Sequence, residues 1–374
     1  MLKIVADDKI PFLKGVLEPY AEMVYLPGSK ISRAELIDAD ALIVRTRTRC
    51  NQVLLEGTRV KCIATATIGF DHIDATYCAV RNIQWTSAPG CNAASVQQYV
   101  ASVLSILSHR MHTGLRGKTL GIIGVGNVGK TIQVLGNVLG MRVLLNDPPR
   151  ERAEGKGSFV SLDELLAESD VVCLHVPLNR EGLDKTLHMA DENFFARMKT
   201  SAWFLNASRG EAMDTNALKE GLAAKSIAGA VIDVWEDEPH IDLDLLHLVA
   251  IGTPHIAGYS TDGKANGTAM SVNSISRFFG LGLDHWYPAN LLAPQKPVLR
   301  LHHTGEELLK EAFLSTYDVM QDDRTLRQSP DTFEQQRGNY PLRREYKAYT
   351  VTGTSDDPAL KALSQLGFAV HPSI

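Results

Sequence analysis

Short apolar runs alternating with amphipathic stretches fill the first 260 residues of this chain. Leu2 to Ala6, Ala41 to Arg45, Cys62 to Thr65 and Ile83 to Trp85 are apolar or β-rich runs of strand length. Helical patterns such as Ser32 to Ala39 and Ile73 to Val80 lie between them. Such alternation predicts a parallel sheet with covering helices. One long apolar helix is expected from Asn92 to His109, and Lys118 to Gly124 then reads as a buried strand that stops at a glycine turn.

Further strands are expected at Arg142 to Asn146, Val171 to His175, Ala202 to Asn206, Ala230 to Asp233 and Val249 to Gly252. Helices are expected at Lys130 to Leu139, Leu162 to Glu168, Asp191 to Arg197 and Asn216 to Ala224. The pattern predicts an α/β protein with a Rossmann-type doubly wound parallel sheet, preceded by a second, flavodoxin-like α/β domain. A helix from about Lys264 to Gly280 is expected to return the chain to the first domain. Beyond Asp284, Pro288, Pro294 and Pro297 mark a linker. The tail after it has helical patterns at Gly305 to Tyr317 and Pro358 to Leu366, a polar stretch at Gln321 to Gln336 and a strand at Tyr346 to Thr352. It is expected to be a small α+β domain. The predicted boundaries are 1–92 with 259–284, 93–258, and 285–374.

Composition narrows the function. With 44% hydrophobic and 22% charged residues and a net charge of -5, the chain has no bulk electrostatic reason to bind nucleic acid, so an anionic ligand must meet local arginines. The N-terminus lacks the basic start and long apolar run of a signal peptide, and no run reaches a membrane span. Five scattered cysteines without a CxxC pair suggest free thiols in a reducing cytoplasm, with neither a disulfide framework nor a metal site.

Gly124-Val125-Gly126-Asn127-Val128-Gly129 follows a predicted buried strand and opens a predicted helix, the context a dinucleotide fingerprint requires. Gly124 allows the turn, Gly126 lets the backbone approach a pyrophosphate, and Gly129 lets helix and strand pack. Asp147 ends the next strand, where a carboxylate accepts from ribose hydroxyls and repels a 2′-phosphate, favouring NAD. His175 closes the following strand against the cofactor, and Asp233 is a candidate acceptor for the nicotinamide carboxamide.

Three residues then supply chemistry: Arg209 in Asn206-Ala207-Ser208-Arg209-Gly210, Glu238 before Pro239, and His255 in Pro254-His255-Ile256-Ala257-Gly258. Each is expected at the C-terminal end of a strand. Oxidising a hydroxyl requires a base, and a histidine held by a carboxylate suits the task. Arginine is a permanently charged fork for a carboxylate. Arg45, Arg47 and Arg49 would share one face of an extended strand, and three cations together call for an anion such as phosphate. Arg343 and Arg344 of the tail are a second candidate source of phosphate-binding charge.

These motifs resemble those of the D-isomer-specific 2-hydroxyacid dehydrogenase family. The likeness runs through Gly121 to Gly129, Asn206 to Gly210, Asp233 to Pro239 and Pro254 to Gly258. It implies a catalytic set of Arg209, Glu238 and His255. It implies NAD contacts at Gly124, Gly126, Asn127, Val128, Gly129, Asp147, His175, Ala207, Ser208, Arg209, Asp233 and Gly258.

The segments Thr65 to Asp74, Ala88 to Ala93, Asp147 to Arg150 and His255 to Tyr259 resemble a branch of that family. Its substrate is a phosphorylated four-carbon 2-hydroxy acid of pyridoxal 5′-phosphate biosynthesis. The likeness implies substrate contacts at Thr46, Thr67 and Tyr259, beside Arg45 and Arg47, and a homodimer formed through the C-terminal domain. The chain departs from the branch at Thr46, where serine is expected, and at Val176, where threonine is expected. Two other readings stay open: a dehydrogenase for another substrate such as 3-phosphoglycerate, and an NAD-sensing interaction protein of the corepressor kind.

Overall fold

The apolar runs fold as parallel strands in all three sheets of the computed structural model, which describes residues 1–111, 114–353 and 357–372. The chain forms two compact units, Met1–Asn92 with Ser260–Leu292, and Ala93–Tyr259 with Ala293–Ile374.

In the first unit, β1 (Lys3–Asp7), β2 (Glu22–Leu26), β3 (Ala41–Val44), β4 (Cys62–Thr65) and β5 (Gln84–Thr86) pair in the order β2-β1-β3-β4-β5. That is the flavodoxin order. The inner strands are buried on both faces, which is why they read as unbroken apolar runs. The returning helix Thr261–Phe279 belongs to this unit. Ser260 caps it by accepting from Gly263 N–H, and Val272 and Ile275 pack with Ile4, Ile43 and Cys62. Each such aliphatic side chain contributes roughly 1.5–3 kcal/mol by leaving water.

In the second unit, β6 (Thr119–Ile123), β7 (Arg142–Asn146), β8 (Val171–Leu174), β9 (Trp203–Asn206), β10 (Gly229–Ile232) and β11 (Ile251–Gly252) are ordered β11-β10-β9-β8-β6-β7. The chain steps from β6 outward to β7 and then crosses back to β8. The strand order therefore reverses between β6 and β8, and ligands of open α/β sheets bind outside the carboxyl ends of strands at such a switch point.

The tail contributes a parallel sheet of β12 (Val298–Arg300), β13 (Thr350–Gly353) and β14 (Ala369–Pro372), with helices Gly305–Thr316 and Pro358–Gln365. The polar stretch at Gln321 to Gln336 folds as the helices Val319–Gln328 and Phe333–Gly338. The first of these covers the sheet edge at β11, where Asp323 accepts from Gly252 N–H at 2.7 Å. A short covered edge offers no template for pairing with another chain. The long helix Ala93–Arg110 is buried along most of its length, and its polar side chains are spent within the unit. Gln97 donates to Thr131 O and Gln98 to Arg344 O.

Candidate active site

The glycine loop follows β6 and opens the helix Asn127–Val138, whose first turn includes Asn127, Val128 and Gly129. A Cβ on Gly126 would meet no protein atom within 4 Å, so the protein's own packing does not demand glycine there. Open space at a helix N-terminus fits an approaching diphosphate. Beside this loop His175 Nε2 is buried without a hydrogen-bond partner among the described residues. Burial pushes the His175 pKa down to about 4, so the ring is neutral at physiological pH. An open cradle and a buried ring nitrogen without a partner among the described residues fit a bound dinucleotide.

Asp147 lies just beyond β7, as expected for a ribose acceptor. Its carboxylate also takes the N–H of Val125 at 2.8 Å and caps the next helix through Arg150 N–H at 3.1 Å. The acid therefore shapes the loop as well as marking its far end.

Arg209 is presented by a turn that its own neighbours build. Asn206 Oδ1 accepts from Ser208 N–H and Oγ, and Asn206 Nδ2 donates to Arg209 O. Gly210 passes so close to Trp235 that a Cβ would lie 2.0 Å from the Trp235 carbonyl oxygen. This contact sets the arginine turn against the segment that carries Glu238. Ala207 lies in the same turn, between Asn206 and Ser208.

His255 Nδ1 stands 2.7 Å from Glu238 Oε2, and Glu238 Oε1 accepts from Trp235 N–H at 3.0 Å. Burial raises the Glu238 pKa, yet the charge and hydrogen bond of His255, the Trp235 N–H and the charge of Arg337 together hold it below the ordinary carboxylate value. A carboxylate only accepts, so Nδ1 of neutral His255 carries the proton and Nε2 is left as the base.

The backbone at His255 is left-handed, with φ 55°. Such a conformation is costly for a residue with a side chain and persists only where its surroundings fix it. Asp233 does this. Its buried carboxylate accepts from Ile256 N–H, Ala257 N–H and Thr253 Oγ1 at 2.8, 2.9 and 2.7 Å, and its carbonyl accepts from His255 N–H at 2.7 Å. Thr253 gives its one proton to Asp233, so the buried Tyr99 hydroxyl, 2.9 Å away, donates to Thr253. Burial raises the Asp233 pKa against the opposing charge of His255 and these donors.

Tyr259, one residue past Gly258, meets the tail. The Arg337 guanidinium lies over its ring at 5.7 Å, and Tyr340 packs edge-on at 5.8 Å. Sequence reasoning missed Arg337, since no local motif marks a cation brought to Tyr259 and Glu238 by a distant helix.

Two expectations about arginine are corrected. Residues 45 to 49 are not a strand: β3 ends at Val44 and the chain turns, so Arg45, Arg47 and Arg49 do not alternate on one face. Arg45 pairs with the buried Asp7 at 3.3 Å, while Thr46 and Arg47 are exposed at the turn. In the same unit, Lys264 is exposed as a residue, but desolvation of its ammonium and then the charge of Arg45 lower its pKa.

Arg343 is no phosphate ligand. It is 4% exposed, and it donates to Gln98 Oε1, Ser95 O and Ile256 O while stacking 3.8 Å from the Tyr317 ring centroid. Arg344 is buried as well.

Thr67 lies in the loop after β4, half-buried, hydrogen-bonded to Thr65 and to the Gly69 carbonyl.

Comparison with known proteins gives the same direction. Residues 93–257 match the model of the D-isomer specific 2-hydroxyacid dehydrogenase NAD binding domain, and residues 293–367 match DUF3410, a domain of unknown function. An erythronate-4-phosphate dehydrogenase of Bacteroides thetaiotaomicron is 50% identical over 94% of this chain and 99% of its own. One from Escherichia coli is 40% identical over 99% of both chains. Among solved structures, D-lactate dehydrogenase of Aquifex aeolicus, complexed with NAD and lactic acid, is 28% identical with a TM-score of 0.61. That likeness covers 78% of this chain and 100% of the other.

Proposed function

The chain belongs to the D-isomer specific 2-hydroxyacid dehydrogenase family, on its erythronate-4-phosphate dehydrogenase branch, and we propose that it oxidises 4-phospho-D-erythronate at C2 in pyridoxal 5′-phosphate biosynthesis. The product is (R)-3-hydroxy-2-oxo-4-phosphooxybutanoate. The observation that carries the assignment of roles is the 2.7 Å pair of His255 and Glu238 on an Asp233-braced loop.

NAD, when bound, would supply the hydride acceptor for C2. Gly124, Gly126, Asn127, Val128 and Gly129 would hold its diphosphate, and Asp147 its adenosine ribose. His175, Ala207, Ser208, Asp233 and Gly258 would line the rest. His255 Nε2 takes the C2 hydroxyl proton, and Glu238 stabilises the imidazolium that results. Arg209 clamps the carboxylate and polarises the C2 oxygen, making the hydroxyl easier to deprotonate. Tyr259, Thr46 and Thr67 are assigned to the substrate, and Arg45 and Arg47 to its phosphate, with Lys264 adding charge beside Arg45. We assign the tail to homodimer formation and the protein to the cytoplasm. Among the described residues no helix is long and apolar enough to cross a membrane.

The test is an assay of the full chain with NAD and, as alternative acceptors, 2-oxo acids. It compares erythronate 4-phosphate, 3-phosphoglycerate and lactate as substrates, in the wild type and in His255→Ala. The variant is expected to bind NAD and to lose about 10²–10⁴-fold in kcat, the usual contribution of a positioned base. Near-normal turnover would remove His255 from its role, and preference for 3-phosphoglycerate would replace the substrate.

A further inference from the structure

The loop after β4 holds a chain of three hydrogen bonds whose proton directions are all determined. Thr67 Oγ1 lies 3.0 Å from the Gly69 carbonyl oxygen, which only accepts, so the one hydroxyl proton of Thr67 is spent there. In the 2.7 Å contact between Thr65 and Thr67, Thr65 must therefore be the donor. Thr65 then has no proton left for its 3.1 Å contact with His72 Nε2, and the ring nitrogen donates. His72 is 8% exposed, and burial lowers its pKa to about 4, so the ring is neutral and its single proton sits on Nε2.

The consequence falls on Thr67. Its oxygen receives one bond from Thr65 and offers its remaining lone pair, so it meets a ligand as an acceptor only. The carboxylate and phosphate oxygens of an ionised phosphorylated 2-hydroxy acid are acceptors themselves and have nothing to give it. We propose that the His72–Thr65–Thr67 relay makes Thr67 a reader of a substrate hydroxyl, the one on C3, with His72 as a positioning residue for specificity.

This inference rests on the assignment of Thr67 to the substrate and of the C2 hydroxyl to His255. Erythronate 4-phosphate carries a hydroxyl on C3, whereas 3-phosphoglycerate has its phosphate there and lactate a bare methyl. A site that presents a fixed acceptor to a hydroxyl discriminates against analogues that lack it, because the acceptor is then left unpaired.

Two measurements on the full chain test it. The first is the imidazole nitrogen spectrum of the wild-type protein, with the His72 signal identified by its loss in His72→Gln. An Nε2–H tautomer is expected, and an Nδ1–H tautomer would overturn the relay whether or not any variant is active. The second compares kcat/KM for erythronate 4-phosphate with that for 2-hydroxy-4-phosphooxybutanoate, which lacks only the C3 hydroxyl.

The wild type is expected to prefer the former by roughly 10–100-fold, carried mainly in KM. His72→Leu should reduce the preference to a few-fold, and His72→Gln, whose amide N–H reaches the same place, should restore it. Undiminished preference in His72→Leu, with Thr67→Val having lost it, would overturn the role of His72 alone. Undiminished preference in Thr67→Val would remove Thr67 from the substrate and the inference with it.

Discussion

Glu238 Oε2 and His255 Nδ1, brought within 2.7 Å of each other, come from the loops after two adjacent strands, β10 and β11. The pair fixes which ring nitrogen is basic. Glu238→Gln should lower kcat by roughly 10²-fold or more, since an amide can leave the wrong tautomer in place and cannot stabilise imidazolium. NAD affinity, measured by titration calorimetry, should stay as it was. A kcat within threefold of wild type would exclude the pair as catalytic.

The open space at Gly126 separates folding from binding. Gly126→Ala meets no protein atom, so unfolding free energy should change by less than about 0.5 kcal/mol, as for an uninvolved surface site. Its methyl occupies the approach to the diphosphate, and Kd for NAD should rise about tenfold or more, equivalent to roughly 1.4 kcal/mol. Denaturant melts and NAD titrations of the same preparation check both halves.

Arg343→Ala should be a stability variant, not a substrate variant. The change leaves Gln98 Oε1, Ser95 O and Ile256 O without their buried donor, and the loss should be at least about 1–3 kcal/mol. Urea unfolding reads this directly. A stable Arg343→Ala enzyme with only a raised substrate KM would return the residue to the phosphate.

His72 gives the fold a pH dependence of known sign. Its folded pKa, about 4, lies below the ordinary 6.5, so the unfolded chain takes up a proton first as pH falls. Stability from the neutral buried ring is complete above pH 6.5 and is lost between about 6.5 and 4, by roughly 3 kcal/mol. His72→Gln removes this group, and its unfolding free energy should fall less than that of the wild type between pH 7 and pH 4.5. Parallel losses in the two proteins would contradict the lowered pKa.

The doubly wound sheet was legible because buried parallel strands are apolar on both faces, and Arg142–Asn146 and Leu162–Glu168 form over the predicted residues. The strands β2, β12 and β14 were not: all three lie at sheet edges, where β2 is only partly buried, and β12 and β14 are short runs mixed with polar residues or proline. The helix Leu243–Leu248 escaped notice for a similar reason, being one and a half turns with its cap, Asp242, as the strongest local signal.

In the site, the glycine loop and the His255 and Glu238 motifs could be read because each is local in sequence. The brace of Asp233 on Ile256 and Ala257 joins residues more than 20 positions apart, and Arg337 reaches Tyr259 across 78 positions. Tertiary packing alone brings such partners together. The Arg45 to Arg49 run misled because alternation implies a strand only where the chain stays extended, and here it turns.

Arg343 donates to Ile256 O, a carbonyl of the His255 loop, from the far end of the chain. The loop that holds the base therefore cannot open without breaking a bond to the tail. A protease nick, fusion or graft that loosens residues around 343 should lower turnover together with stability. The tail cannot be exchanged as a cassette while leaving the chemistry intact.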